Sequence, residues 1–369
     1  MAIPDIVTAT RSYERWMAGL IPVVRADLIY KHQRMEADLF TFLRATFYRW
    51  AQVWPDVCAD LATAPSVLAV GDAHLENFGT WRDAEGRLVW GINDFDEAHT
   101  LPYTIDLCRL ATSAVIGSRS NHIAISPRRA CDAILTGYRE CLQTRGRPLV
   151  LEQHDAWLRK TALAAVPDPV RFWNKMDILP PVRRKAPDSA RRALEATMVE
   201  PIPYRLVRRR VGTGSLGRQR MVALGDWRGA MVAREAKSFL PSAWGWAHPG
   251  GGDEREAYMR TVRAAIRCPD PFLRATPDWV VRRLAPDCAR IELTMLPRKR
   301  DDYRLLRAMG WETANIHLGS MITPDAVLAD LEARPAGWLR DSTRRMLHTV
   351  QQDWNQWRAA RATSAPEPG

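Results

Sequence analysis

Residues 71–111 constrain this chain more than any other stretch. They read Gly-Asp-Ala-His-Leu-Glu-Asn-Phe-Gly, then a short polar turn, then Ile-Asn-Asp-Phe-Asp-Glu-Ala, and end in Asp-Leu-Cys-Arg-Leu-Ala. Residues 66–70 are an apolar run stopped by Gly71. Residues 78–82 lead into Asp83-Ala84-Glu85-Gly86, a turn signal, and residues 87–93 then alternate, with Leu88, Trp90 and Ile92 on one face. This pattern predicts a β-hairpin, which folds its two ends back onto one point. One end carries Asp72, His74 and Asn77, and the other carries Asp94 and Asp96.

Asp, Asn and Gly are ordinary turn residues when taken singly. Brought together by a hairpin, they become a ligand set. Asp94 and the amide oxygen of Asn77 offer two hard oxygens, and Asp72 remains as a second carboxylate. Mg2+ is usually held in this way, by one or two protein oxygens with phosphates and waters completing the octahedron.

A second informative stretch is Val211-Gly212-Thr213-Gly214-Ser215-Leu216-Gly217. A Gly-x-Gly-x-x-Gly run also opens dinucleotide-binding folds, where a strand precedes it, a helix follows it and an acid lies about twenty residues on. Glu235, eighteen residues after Gly217, meets the spacing, but the flanks do not meet the pattern. Residues 218–224 and 230–238 both read as strands, so the glycines lie at a hairpin tip. A Gly-rich loop over phosphates, followed by a strand carrying a lysine, is the protein-kinase arrangement. Lys237 would be that lysine. Its acidic partner would come from the next helix, opened by Asp253-Glu254-Arg255-Glu256, with Glu256 nineteen residues past Lys237 and Glu254 nearly as suitable.

Gly-Asp-x-His-x-x-Asn, followed seventeen residues after the Asn by Asp-Phe-Asp, resembles the catalytic and metal-binding loops of the aminoglycoside phosphotransferase branch of the protein-kinase-like fold. Pro102 and Asp106-Leu107 resemble that branch too. Most of the chain is similar to the bacterial family of uncharacterised proteins called DUF2252. The resemblance implies an α+β fold with two kinase-like lobes, one mostly helical and large, the other small and built on an antiparallel sheet. It also makes Arg44 a residue of interest.

In ordinary kinase-like chains the Gly-rich loop precedes the catalytic loop; here it follows. Either the glycine hairpin is unrelated to nucleotides or the chain is circularly permuted, which surface termini make physically cheap. Permutation is preferred because it keeps loop, lysine, acidic helix and hinge strand in their mutual order. The expected division is a large lobe over 1–200 with a basic insertion, a nucleotide-covering lobe over 201–297, C-terminal helices over 298–362 and a disordered tail over 363–369.

The expected function is ATP- and Mg2+-dependent phosphoryl transfer to an unidentified small-molecule or protein acceptor. Asp72 would orient or deprotonate the acceptor, His74 would support its loop, and Asn77 and Asp94 would hold the metal. Asp96 would bind a second metal or finish the turn. Gly212, Gly214, Ser215, Gly217 and Lys237 would clamp the nucleotide, and Glu256 would hold Lys237. One rival keeps the fold and transfers AMP instead. Another is a non-catalytic nucleotide or nucleic-acid binding module using the arginines between 183 and 210.

The remaining chain sets the frame. A net charge of +11 suits an anionic partner, and nucleotide phosphates satisfy it as well as nucleic acid does. Six cysteines without a Cys-x-x-Cys pair read as buried reduced thiols. No leader pattern opens the chain, and no apolar run approaches the ~18 residues of a membrane span, so a cytoplasmic protein without membrane partners is expected. Residues 9–63 read as helical, broken at Pro22 and restarted at Pro55, with Lys31, His32 and Arg34 on an exposed basic face. Helices are expected over 106–118, 126–143, 302–320, 324–332 and 336–360. Strands are expected over 279–284, leading to a hinge at Ala285-Pro286, and over 291–294. The stretch 144–200 reads as a basic, proline-interrupted insertion.

Overall fold

Helices open the chain because its caps and breakers are well placed. In this computed structural model, which describes residues 3–120, 122–183, 185–250, 254–288, 290, 301–321 and 323–364 (backbone alone at 254–256 and 364), Asp5 caps helix Ile6–Leu20. Its Oδ1 accepts from the amides of Val7 and Thr8 at 2.8 and 2.9 Å. Pro22 follows the end of that helix, and helices Arg25–Ala37, Leu39–Ala45, Phe47–Val57 and Ala59–Ala62 continue. Pro55 does not restart a helix as expected; it sits inside Phe47–Val57. Proline lacks the N–H that would reach the Ala51 carbonyl. The His248 ring occupies that carbonyl instead, with Nε2 2.9 Å away.

The strands are β1 (Ser66–Ala69), β2 (Phe78–Arg82), β3 (Leu88–Ile92), β4 (His99–Pro102), β5 (Leu149–Val150), β6 (Tyr204–Arg208), β7 (Arg220–Trp227), β8 (Ala230–Ser238), β9 (Arg274–Ala275) and β10 (Trp279–Leu284). β2 and β3 form the expected hairpin with Phe78 opposite Ile92, and β5 extends it. β1 pairs with β4, so the chain leaves and re-enters the 71–98 loops at adjacent points. Beneath them the main core is helical: Thr104–Arg119, Pro127–Gln143, Asp302–Leu318 and Trp338–Ser364 surround Leu107, Leu110, Ile134, Ile316 and Leu339. Pro127–Gln143 and Asp302–Leu318 meet through glycines. A Cβ on Gly137 would lie 1.8 Å from the Arg307 carbonyl oxygen, and one on Gly310 2.1 Å from that of Ile134. Backbone touches backbone there, which no larger residue permits.

The second body is a five-stranded antiparallel sheet in the order β6-β7-β8-β10-β9. The later part of the 144–200 stretch, from residue 169 on, serves it, while Leu149, Leu158 and Ala162 pack into the main core. Helix Asp188–Glu195 covers one face, with Ala190 and Leu194 on Met221, Ala236 and Val281. Helix Pro169–Asp177 covers part of the other, with Met176 and Phe172 on Val207, Val222 and Leu284. Residues 180–182 run along edge strand β6, where Arg208 N donates to Pro180 O at 2.8 Å and Val182 N to Leu206 O at 3.0 Å. An otherwise open sheet edge is thereby covered. Helices with antiparallel sheets make the chain α+β. The short strand expected over 291–294 lies outside the described residues.

Candidate functional site

Gly71 starts the site at a positive φ of 77°, a backbone shape open to glycine. A Cβ there would also fall 2.2 Å from the Glu97 carbonyl oxygen. The loop is gripped from below by Asp106, wholly buried on helix Thr104–Arg119. Its two carboxylate oxygens accept from Val70 N at 2.7 Å and Gly71 N at 2.8 Å. His317 Nε2 lies 3.0 Å from the same carboxylate, and Tyr138 OH lies 2.7 Å from His317 Nδ1. Asp106 therefore positions the loop backbone.

Asp72, held at the turn, pairs with Arg109 at 2.5 Å. Arg109 is fully buried against the Phe47 and Trp50 rings and also donates to Leu43 O at 2.8 Å. Burial pushes the Asp72 carboxyl above its ordinary pKa, against the opposing pull of Arg109. His74 Nε2 stands 3.7 Å from Asp72, while its Nδ1 accepts from Glu76 N at 3.1 Å. Burial, with Arg44 and Arg109 nearby, holds the imidazole pKa well below its usual value. His74 is thus neutral and carries its proton on Nε2, facing Asp72. Arg44 lines the same cleft and is ion-paired to Glu76.

Asn77 joins the two ends of the hairpin. Its amide nitrogen donates to the carbonyls of Asp72 (3.1 Å) and Asp94 (3.0 Å), and its Oδ1 accepts from Asp94 N at 3.0 Å. One lone pair of that oxygen is used, and the other remains. Across the cleft Lys237 Nζ reaches both acids, Asp94 at 3.2 Å and Asp96 at 2.5 Å. The pairing spans 143 residues of chain to Asp94. Burial alone would raise the Asp94 carboxyl, but Lys237, a hydrogen bond with Asp96 and Arg282 hold it far below the usual range. Arg218, also buried, meets Asp96 at 2.8 Å and Glu97 at 3.6 Å. Burial nonetheless keeps Glu97 protonated to about pH 8, against Arg218 and the Ala243 amide.

The glycine loop joins β6 to β7 at a hairpin tip, as the flanking strands require. Gly212, Gly214 and Ser215 line the cleft with Asp72, His74, Asn77, Asp94 and Asp96. Gly217 does not line it; its carbonyl accepts from Val24 N at 2.8 Å and ties the loop to the N-terminal helices. Lys31 adds a second tie to Gly214 O at 3.3 Å. The exposed basic face expected around Lys31 is therefore corrected: Lys31 is 3% exposed, and burial lowers its pKa to about 8. His32 pairs with Glu14 at 2.6 Å. The helical spacing that suggested a solvated face could not show that a loop 183 residues away lies on it.

Strand alternation brings in a cluster that motif spacing missed. Lys237 lies opposite Arg220 and Val280, and Glu235 opposite Val222 and Arg282, so all these charged residues share one face. Glu235 is 1% exposed and binds Arg220 at 2.6 Å, Arg282 at 2.9 Å and Arg209 at 3.0 Å. Burial would raise its pKa, but the three guanidinium groups hold it far below the carboxylate range. Arg220 also donates to Ser215 Oγ at 2.7 Å. A cavity of about 120 Å³ opens between these arginines, Asp94 and the glycine loop, next to one of about 50 Å³ over Asp72 and Asp96. Glu235 stands two residues before Lys237, and that period of two was the signal available in sequence.

The side chains of Glu254 and Glu256 lie outside the described residues, so their pairing with Lys237 is not described; the partners that are described come from the 94–96 loop. Among the described residues no group of three or more His, Cys, Asp or Glu is arranged to hold a metal ion. Asp94 and Asp96 offer the two-carboxylate form that suits Mg2+ completed by phosphates and water. Among the described residues no helix is long and apolar enough to cross a membrane. No curated protein and no solved structure matches the chain. Residues 24–202, which carry Asp72, His74, Asn77, Asp94 and Asp96, match the family described as "Uncharacterized protein conserved in bacteria (DUF2252)", and this match supports the family assignment drawn from the motifs.

Proposed function

We propose that the protein is an ATP- and Mg2+-dependent phosphotransferase acting on a hydroxyl or amine, with a circularly permuted kinase-like arrangement. The observation that carries this reading is Lys237, placed between Asp94 and Asp96 beneath a glycine hairpin. Supporting it, Lys237 lies on the third strand of its sheet in chain order, after the loop and before helix Glu254–Ala264. This is the order in which kinases carry loop, lysine and helix.

Bound Mg·ATP would supply the reactive phosphorus and the charge neutralisation. The chain's own residues do the positioning. Asp72, fixed by Arg109 and faced by neutral His74, accepts a hydrogen bond from the acceptor and aligns it. Asp94 and Asp96 would hold the cation, which would free Lys237 to pair with the phosphates. Asn77 keeps Asp72 and Asp94 at a fixed separation. Such positioning and charge placement account for most of the catalysis in phosphoryl transfer. The two cleft cavities are smaller than the roughly 300–1,000 Å³ of ligand pockets, so a nucleotide would enter only with some opening of the cleft, for which the glycine hairpin is the lining element at a loop tip. The direct test is loss of γ-phosphate from ATP, which Asp72→Asn and Asp94→Ala are each expected to suppress. Unchanged turnover in both would overturn the assignment.

One observation favours a second reading. The cavity beside Asp94 is ringed by Arg209, Arg220 and Arg282, a setting for phosphates rather than a base. A nucleotide bound in the reverse sense would present its α-phosphate to the acceptor, and the product would carry AMP. Mass spectrometry of modified acceptors separates the two by the added mass.

A further inference from the structure

A cavity of about 740 Å³ lies outside the Asp94–Lys237 cleft, beside the glycine hairpin. Its walls come from three separate parts of the chain: residues 22–25 with Asp27, residues 180–183, and the hairpin base at 208, 209 and 219–221. These walls are tied together, by Val24 N on Gly217 O and by Arg208 N on Pro180 O. The space is therefore built into the fold and has the volume of a small-molecule site.

Its chemistry is two-sided. Prolines and valines of 22–24 and 180–182, with Met221, make an apolar surface. Arg25, Arg183, Arg208, Arg209 and Arg220 stand around it against the single acid Asp27. Asp27 is already shared by Arg208 at 2.7 Å and Arg210 at 2.8 Å, and Arg209 and Arg220 share Glu235 with Arg282. Arg25 and Arg183 are exposed and make no ion pair among the described residues. A surplus of cations beside apolar walls is satisfied by a molecule that is both anionic and greasy; an inorganic ion would leave the apolar walls wet.

We propose that this cavity binds an organic anion of about nucleotide size, a phosphate, sulfonate or carboxylate carried on an apolar or aromatic body. Arg209 and Arg220 line this cavity and the one beside Asp94 alike, so the two spaces adjoin, while the anion is met by Arg25 and Arg183, the cations left without an acid. The site does not depend on what reaction the cleft performs.

The probe is 8-anilinonaphthalene-1-sulfonate, titrated calorimetrically into the full chain beside its uncharged analogue N-phenyl-1-naphthylamine. One sulfonate site per chain is expected, weakened by salt. The double variant Arg25→Glu, Arg183→Glu, altered only at exposed positions and checked for fold by circular dichroism, should bind the sulfonate at least threefold more weakly. Asp94→Ala should bind it as the wild type does, whatever that change does to nucleotide turnover. No saturable site, a loss under threefold in the double variant, or equal binding of the uncharged analogue would each overturn the proposal.

Discussion

At the scale of residues, the cleft is governed by how buried charges are compensated. Glu235 has three guanidinium partners and almost no exposure. Removing it would leave three cations facing one another, and breaking a buried ion pair from one side is strongly destabilising. Glu235→Gln is expected to lower unfolding stability by about 3 kcal/mol, read from urea denaturation; a loss below about 1 kcal/mol would mean that water already screens the cluster. Lys237 has a different position. Its closer partner Asp96 is as buried as Lys237 itself but keeps Arg218 at 2.8 Å when the lysine is removed, and Asp94 is 42% exposed on its side chain. Lys237→Met is therefore expected to keep the fold and reduce ATP turnover at least about a hundredfold, the scale set by removing one charge-stabilising donor. Steady-state kinetics with a matched melting curve checks both halves of that statement.

At the scale of elements, the two decisive contacts are a hairpin lying on a helix and a helix lying on a helix. The glycine loop is held down by Lys31 at Gly214 and by the Val24 amide at Gly217. If the loop must rise for a nucleotide, these ties set its resting position. Lys31→Met should raise amide hydrogen exchange across 212–217 while leaving β7 and β8 protected, and equal exchange in both proteins would show that the lysine does not restrain the loop. Helices Pro127–Gln143 and Asp302–Leu318 approach at Gly137 and Gly310 with no room for a side chain. Gly310→Val is expected to cost about 2 kcal/mol by forcing them apart, with the thermal midpoint as readout.

At the scale of the whole molecule, two buried carboxyls tie stability to pH. Burial raises Glu97 to about 8 and Glu312 to about 7, from ordinary values of 4.5. Each group binds its proton more tightly folded than unfolded, so its stabilising contribution is full below pH 4.5. It is lost as pH rises through about 7 for Glu312 and about 8 for Glu97. The melting temperature should therefore be lower at pH 8.5 than at pH 5.5, and Glu312→Gln should flatten part of that slope. A variant with the wild-type slope would place the dependence elsewhere.

Much of this was legible in residues 66–111 and 204–284. Alternation and turn signals named the β2–β3 hairpin, the glycine hairpin and the Lys237 strand, because strand period and turn chemistry are local properties. The juxtaposition of Asp72, Asn77 and Asp94 followed from the hairpin alone. Other features required the fold. Pro55 could stay within a helix because the His248 ring, nearly two hundred residues away, takes the freed carbonyl. Lys31 is buried because the glycine loop lies on it, and Lys237 points at Asp94 and Asp96 because the five-stranded sheet packs over the 94–97 loop. Side-chain burial and charge pairing over such distances depend on how the elements dock, and no local pattern carries that information. Residue spacing thus settled which chemistry each loop could offer, while docking decided that the loops face one another.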